Sequence, residues 1–339
     1  MLTDAGRAEF ALTRLVSISI WRIFEKASGE GYTRMDPRRI AKRLLPPIVV
    51  DTIRTIRAEK ALHQYLRGQR TAWSRGYWIY WEKVITQSLR DESLLRRFRQ
   101  HEQLPSGYGI GIDERCIEYP WLLAHLQDGP GAMLDAGSTL NHDFILGHPV
   151  FQSKLIHILT LAPEWDCFWQ KGISYLFHDL RDIPIRDAYY DVIACLSTLE
   201  HIGSNNTPIT QIDSHCEHRP ESFVFAMQEF RRVLKPGGSL FLTVPFGVYR
   251  HMGVQQQFDR HLLSRAVEAF GNANEVSETF YRYTTEGWNV ADATDCAQCE
   301  YVESSVWQWA YKQRSSPPPV EPDLAAAARA VACAKLVRG

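Results

Sequence analysis

GAMLDAGSTLNH, residues 131–142, is the stretch whose reading decides the fold. A short apolar run ends in Asp135, Gly137 follows at once and a turn of small residues comes next. That order reads as a buried strand whose carboxyl end opens into a tight loop and then a helix. Such a loop makes a cofactor site. Gly137 lets the backbone come close to a ligand, and Asp135 sets a carboxylate beside it, at the carboxyl edge of a parallel sheet where open α/β folds bind their ligands. DVIACLSTLEHIG, residues 191–203, is read together with it as a second strand-to-turn unit. The chemistry is expected where these two stretches meet.

Working outward, 339 residues exceed the usual single-domain size, so one large α/β domain plus an accessory region is the expectation. An apolar content of 45% suits a chain that buries a real core. The charge is unevenly placed: residues 1–105 hold 20 Lys and Arg against 11 Asp and Glu, whereas residues 106–339 hold 18 against 28. A basic arm of that kind seeks phosphates, nucleic acid or an anionic membrane surface. The seven cysteines are odd in number and scattered, and the first residues lack a signal-peptide pattern, so a reduced, cytoplasmic setting is expected. Arg14 and Arg22 interrupt the most hydrophobic N-terminal segment, which argues against a membrane span.

The arm, residues 1–105, looks helical. Leu12, Leu15, Val16, Ile20, Ile23 and Phe24 fall near one helical face. Pro47 can start a second helix, with Ile48, Val49, Ile53 and Ile56 as its stripe and Arg54 and Arg57 beside it. Trp73, Tyr77, Trp78, Tyr80 and Trp81 crowd together further on. Two readings stand. One is a basic platform peripheral to the inner membrane face, its rings at headgroup level. The other is a set of helices packed on the catalytic domain as a lid or a homodimer interface, the plainer reading because surface arginines are commonly just solvated. No helix-turn-helix, zinc-finger or RNA-recognition pattern is present, so no nucleic-acid partner is expected.

LPSGYGIGI, residues 104–112, has the density of Pro and Gly that marks a boundary near Leu104 to Gly111, and residues 106–339 are taken as the second domain. DERCIEYPWLLAHL reads as a loop and short helix in which Glu118, Tyr119 and Trp121 either face the pocket or pack at the sheet edge. Strands are expected at residues 132–137, 154–161, 174–180, 190–197 and 239–245, with an amphipathic helix before the last whose Phe223, Met227, Phe230 and Leu234 share a face and which Pro236 and Gly237 stop. Alternating strands and helices mean right-handed crossovers and a parallel sheet.

Five motifs in order now carry a resemblance: Asp135-Ala136-Gly137; His178-Asp179-Leu180-Arg181-Asp182-Ile183-Pro184; Tyr190-Asp191-Val192-Ile193-Ala194-Cys195; Leu199-Glu200-His201-Ile202; and Phe230 through Leu234 with Lys235-Pro236-Gly237-Gly238. Over residues 106–250 the chain resembles class I S-adenosylmethionine-dependent methyltransferases of the type-11 kind. FLTVPFG followed by QQQFDRHLLSRAVEAFG is similar to a bacterial subgroup from sugar and surface-polysaccharide clusters. The resemblance implies a doubly wound, mostly parallel α/β fold with a seven-stranded sheet, its last strand antiparallel and formed by AVACAKLVR near the end of the chain. It implies S-adenosyl-L-methionine as cofactor. Asp135, Ala136, Gly137 and Ser138 would hold the methionine part, Thr160 would stand where an acid usually meets the ribose with Glu164 four residues on, Asp179 and the Leu180 amide would meet the adenine, and Cys195 to Ser197 would line the floor.

For an oxygen acceptor a general base helps, and His201 suits the task, with Glu200 to orient it or to cap the next turn. Relatives that bind a metal here have an acid where this chain has Ser197, so no metal is predicted. Tyr249, Arg250, His251 and Gln257, with Gln256, Asp259 and His261 nearby, are candidates to bond the hydroxyls of a saccharide or small-molecule acceptor. Cys296 and Cys299 have metal-ligand spacing, with His215, Cys216 and His218 available, but a single such pair is a weak zinc signal. Cys195 and Cys333 read as buried small hydrophobes. The leading function is methylation of a sugar or small-metabolite oxygen. Its rivals are a nitrogen or carbon methyltransferase, for which His201 would be dispensable, and a catalytically inactive scaffold that keeps the fold. The lean glycine content after Asp135 and Thr160 favour the scaffold, whereas Asp135, Gly137 and Asp179 weigh against it.

Overall fold

The computed structural model describes residues 46–68, 70–308 and 319–339. The apolar face at residues 12–24 lies outside them. By contact pattern the chain divides into residues 1–61 and 62–339. Helix α1 (Pro47–Arg67) begins at Pro47, whose fixed φ and missing N–H suit a first helical position. On it Ile48, Val49, Ile53 and Ile56 are exposed. No helix among the described residues is long and apolar enough to cross a membrane.

In the second unit the helices α2 (Tyr77–Arg90) and α3 (Glu92–Gln100) belong with the sheet, so the cut falls well ahead of the Pro- and Gly-rich stretch at 104–111. Helix α2 buries Tyr77, Trp81, Ile85 and Leu89 in the same core as α4 (Arg115–His125). Asp91 caps α3 by accepting from the amides of Ser93 and Leu94, which satisfies two first-turn donors. Two of the crowded aromatic rings are therefore core residues: Tyr77 and Trp81 donate from their hydroxyl and indole N–H to the buried Asp113 at 3.2 and 2.8 Å. Trp78 remains exposed.

Strands β1 (Gly131–Ala136), β2 (Lys154–Thr160), β3 (Ser174–Phe177), β4 (Tyr190–Leu196) and β5 (Leu234–Pro245) are mutually parallel. The sheet has eight strands rather than the expected seven, because residues 273–291 form a hairpin, β6 (Ala273–Thr284) and β7 (Gly287–Ala291). The last strand is β8 (Ala330–Arg338), antiparallel to both of its neighbours β5 and β6. In space the order is β3-β2-β1-β4-β5-β8-β6-β7. The direction of winding reverses between β1 and β4, which opens a crevice at their carboxyl ends.

Side chains alternate across this sheet with period two. Met133, Ile158, Ala194 and Phe241 join the core under α2 to α4, while Leu134, Leu159, Cys195 and Leu242 join the core under α5 (Phe223–Val233) and α6 (Arg260–Phe270). Phe223, Met227 and Phe230 form the buried face of α5 as expected, but the helix ends at Val233 and Leu234 is already the first residue of β5. Between β2 and β3 there is only a single helical turn, Trp169–Lys171, and Trp165 and Trp169 stand exposed there.

Because β8 bonds to strands on both sides, it is a structural keystone of the sheet. Deleting residues 319–339 should leave one edge of β5 and one edge of β6 unpaired and split the sheet between them, and far-ultraviolet circular dichroism of the shortened chain should show lost cooperativity of unfolding. A soluble product with a sharp thermal transition would contradict this.

Candidate functional site

The loop after β1 closes on Asp135. Its carboxylate, fully buried, accepts the Leu140 amide at 2.9 Å and the Thr139 hydroxyl at 3.4 Å. Burial raises the carboxyl to about 7, opposed by those hydrogen bonds. Asp135 thus shapes the loop from beneath rather than lining a cavity, a correction to its expected place beside a ligand. Ala136 is likewise fully buried, in the core. Gly137 has φ 115°, and a Cβ there would stand 2.1 Å from Thr198 Oγ1, so only glycine lets the β1 and β4 loops come together. Ser138 also adopts a positive φ, 66°, and its buried hydroxyl has no protein partner. Asn141 donates to Asp166 O and accepts from the Tyr175 hydroxyl, 2.9 and 2.8 Å, which fastens this loop to the β2–β3 connection. The Tyr119 hydroxyl holds it from the other side, donating to Thr139 O at 2.8 Å.

Above these loops lies a cavity of about 580 Å³ at the carboxyl ends of the strands. One end, at β2 and β3, is walled by Thr160, Phe177, Asp179 and Leu180. The other, at β1 and β4, is walled by Gly137, Thr139, Arg115, Ser197, Thr198 and His201, and Asn206, Thr210, Ser214, His215 and Glu217 line the cavity from the segment that follows β4. Of the residues expected to hold a cofactor, the structure brings Gly137, Thr160, Asp179, Leu180 and Ser197 onto one cavity. Cys195 is not among them, since the alternation of β4 turns it into the core under α5.

Asp179 meets the Arg181 side chain along both oxygens, accepting Nε at 2.9 Å and Nη2 at 2.6 Å. Burial alone would push its carboxyl up, but the hydrogen bonds and charge of Arg181 outweigh that and hold it below the usual carboxylate range. At the other end Glu118, with no exposure, accepts the Ser197 hydroxyl at 2.5 Å and the Thr243 hydroxyl at 2.6 Å and pairs with Arg115. Glu118, Tyr119 and Trp121 do not face the cavity directly. Arg115 does, and the sequence reading missed it.

His201 donates from Nδ1 to Val254 O at 2.8 Å, which leaves Nε2 as the basic nitrogen of the ring on the cavity wall. Burial, with the charge of Arg115, pulls the imidazole down to about 4 against the pull of the carbonyl. Glu200 does not orient it. That carboxyl is 2% exposed, one of its oxygens has no partner, and burial raises it well above the carboxylate range.

The expected acceptor residues lie off the cavity wall. Tyr249 is exposed, Arg250 pairs with Glu303, and His251 reaches the Ser204 hydroxyl at 3.4 Å. Gln257 is buried and donates to Val248 O and Cys299 O at 3.0 and 2.6 Å. They belong to the segment that presents Val254 O to His201 and Gly253 O to Asn205. The cavity is lined instead from GSNNTPITQIDSHCE, residues 203–217, whose density of hydroxyl, amide and imidazole groups was the available signal.

Residues 159–242 match the family model of a methyltransferase domain, a span that carries the end of β2, all of β3 and β4 and most of β5. No curated protein matches. Among solved structures, the chain is similar to a 1,6-didemethyltoxoflavin-N1-methyltransferase of Burkholderia thailandensis bound to 1,6-didemethyltoxoflavin and S-adenosylhomocysteine. The identity is 13%, covering 66% of this chain and 77% of that one, with a TM-score of 0.39. It is also similar to the N-methyltransferase NodS of Bradyrhizobium japonicum in complex with S-adenosylhomocysteine, at 12% identity over 76% of this chain and 97% of that one, TM-score 0.35. The domain match thus lies over the strands that floor the cavity, and residues 159–242 are similar to a methyltransferase domain.

Two outcomes follow from this geometry. Gly137→Ala places a methyl group against Thr198 at a backbone angle that side chains avoid, and should cost about 1–3 kcal/mol of stability, read by chemical denaturation. His201 is lowered from about 6.5 unfolded to about 4 folded. Its contribution is therefore full above pH 6.5 and declines as pH falls towards 4, by at most about 1.4 kcal/mol per unit. The stability difference between wild type and His201→Gln should narrow through that window, and a difference independent of pH would contradict it.

Proposed function

We propose that the chain methylates an oxygen of a saccharide or other small polyhydroxylated metabolite, using S-adenosylmethionine. The observation that carries this reading is the single cavity onto which Gly137, Thr160, Asp179, Leu180 and Ser197 converge from four separate strand ends, roofed by a segment rich in uncharged hydrogen-bonding groups. Its volume of about 580 Å³ lies within the range of small-molecule sites, roughly 300–1,000 Å³.

The cofactor fits the residues present. The buried Ser138 hydroxyl still lacks a partner, and Gly137 leaves space for close backbone approach. When bound, S-adenosylmethionine supplies a methyl group already activated on a sulfonium. The protein's own work is placement. Asp179, kept ionised by Arg181, offers an acceptor to the amino group of the adenine, and the Leu180 amide offers a donor beside it. Phe177 and Leu159 supply apolar wall, and Thr160 a hydroxyl for the ribose. Arg115 is a cation for the carboxylate at the methionine end. Aligning an acceptor oxygen in line with the methyl group and excluding water can contribute about 7–11 kcal/mol. His201, neutral at pH 7, takes the hydroxyl proton on Nε2.

The low basicity of His201 also favours a second reading, transfer to a nitrogen that is nucleophilic without help from a base. Titration calorimetry of S-adenosylmethionine and S-adenosylhomocysteine separates the cofactor from the acceptor question. Wild type should bind in the micromolar range, and Asp179→Ala should weaken binding tenfold or more, about 1.4 kcal/mol. Arg115→Met should weaken S-adenosylhomocysteine but leave 5′-methylthioadenosine, which lacks the amino-acid part, unchanged. Equal losses for both ligands would remove Arg115 from the methionine end, and no binding to folded wild type would remove the cofactor. With binding established, His201→Gln separates the two acceptors: an oxygen acceptor should lose turnover with the variant, a nitrogen acceptor should not.

A further inference from the structure

Residues 203–219 form a closed loop with its own internal bonding. The Arg219 amide donates to Gly203 O at 2.7 Å. Gly203 has φ 77°, and a Cβ on it would stand 1.9 Å from Arg219 O, so the neck of the loop closes only with glycine there. Inside the neck the Asn206 amide donates to His215 O at 2.8 Å, and Asn205 bridges Cys216. The Asn206 side chain donates to His201 O at 3.0 Å, tying the root of the loop to the candidate base.

Between 203 and 219 no side chain joins a buried core cluster; Ile209 lines the cavity but is 52% exposed, and Ile212 is 37% exposed. The segment therefore has no anchor in the buried cores. Segments held mainly by hydrogen bonds, with few buried apolar contacts, lie at the low-stability end of a fold and open locally. Yet Asn206, Thr210, Ser214 and His215 wall the cavity from it.

What fastens its far side is one guanidinium. Arg181 donates from Nη1 and Nη2 to the two Glu217 oxygens at 2.7 and 2.5 Å, and from Nε and Nη2 to Asp179. Bidentate, charge-assisted pairing of this kind is geometrically specific as well as strong, and all three side chains are half-buried. The same cation that fixes the Asp179 carboxylate thus clasps the cover of the cavity. Glu217 is held below the usual carboxylate range by those hydrogen bonds, so the clasp is charged at neutral pH.

We propose that Glu217 is a positioning residue that, through Arg181, latches the loop 203–219 over bound cofactor and sets the orientation of Asp179, so that ligand release requires the Arg181–Glu217 pair to part. This rests on the cofactor reading above and specifies how that site is gated. Neither Glu217 nor the loop is needed to make the ligand-binding edge of the sheet. They are placed to decide how long a ligand stays.

The test compares wild type, Glu217→Gln and Glu217→Asp in two measurements: the dissociation rate of S-adenosylhomocysteine by stopped-flow displacement, and amide hydrogen exchange of residues 204–218 with and without that ligand. E217Q should release S-adenosylhomocysteine at least fivefold faster and exchange faster at 204–218 in both states, while its melting temperature stays near wild type. E217D, which keeps the charge, should recover part of both effects and stands in if E217Q does not fold. Wild-type values for release and exchange in the variants overturn the latch. If wild type binds no S-adenosylhomocysteine, the cofactor reading fails and the latch with it as a gate for that ligand. Exchange in the ligand-free variants then still reports whether Glu217 holds the loop shut.

Discussion

The site depends on one buried carboxylate, that of Glu118. It carries no solvent exposure and sits where α4 crosses the ends of β4 and β5. Taking an ion out of water costs several kcal/mol unless its lone pairs are filled, and here Ser197, Thr243 and Arg115 fill them. The bonds do more than neutralise a charge. They hold Ser197 in a left-handed backbone conformation, φ 37°, that non-glycine residues seldom adopt, and they aim Arg115 at the cavity. Without Glu118, α4 would keep its apolar packing against Phe241 and lose its purchase on the chemistry.

A division of labour follows. The floor is rigid, built from strand ends whose alternating side chains are locked into two cores, and its special angles at Gly137, Ser138 and Ser197 are affordable only because neighbouring loops over-determine them. The segment above it is the opposite, a self-bonded loop tied to the rest of the chain by a few hydrogen bonds at its root and by the Arg181–Glu217 pair. Rigid scaffold beneath and adjustable loop above is how a common fold comes to serve different acceptors.

Much of the floor was legible in the sequence because short-range chemistry dictates it. Apolar runs and Gly137 fix strands and loop positions with little help from the rest of the chain. What could not be read is which way a polar group turns. Asp135 was read as facing a ligand, but its lone pairs go to Leu140 and Thr139 a few residues on. Gln257 was read as an acceptor contact, but its amide is spent on Cys299 O, more than 40 residues away in the chain. Arg115 was invisible for the same reason, since only Glu118 gives it a direction. The β6–β7 hairpin is a different lapse, because alternating residues around Phe280 and a glycine at positive φ at 287 were there to be seen.

The placement of β8 also fixes an order of events as the chain is made. β5 and β6 flank the same slot in the sheet, and the strand that fills it comes last of the three, ending at Arg338 where β6 ends at Thr284. At ribosomal rates of about 5–20 residues per second, that separation leaves the slot open for several seconds. Two strand edges stay unpaired through that interval, each able to template a neighbouring chain. Nascent copies on adjacent ribosomes are thus most exposed to one another in the interval before β8 is made.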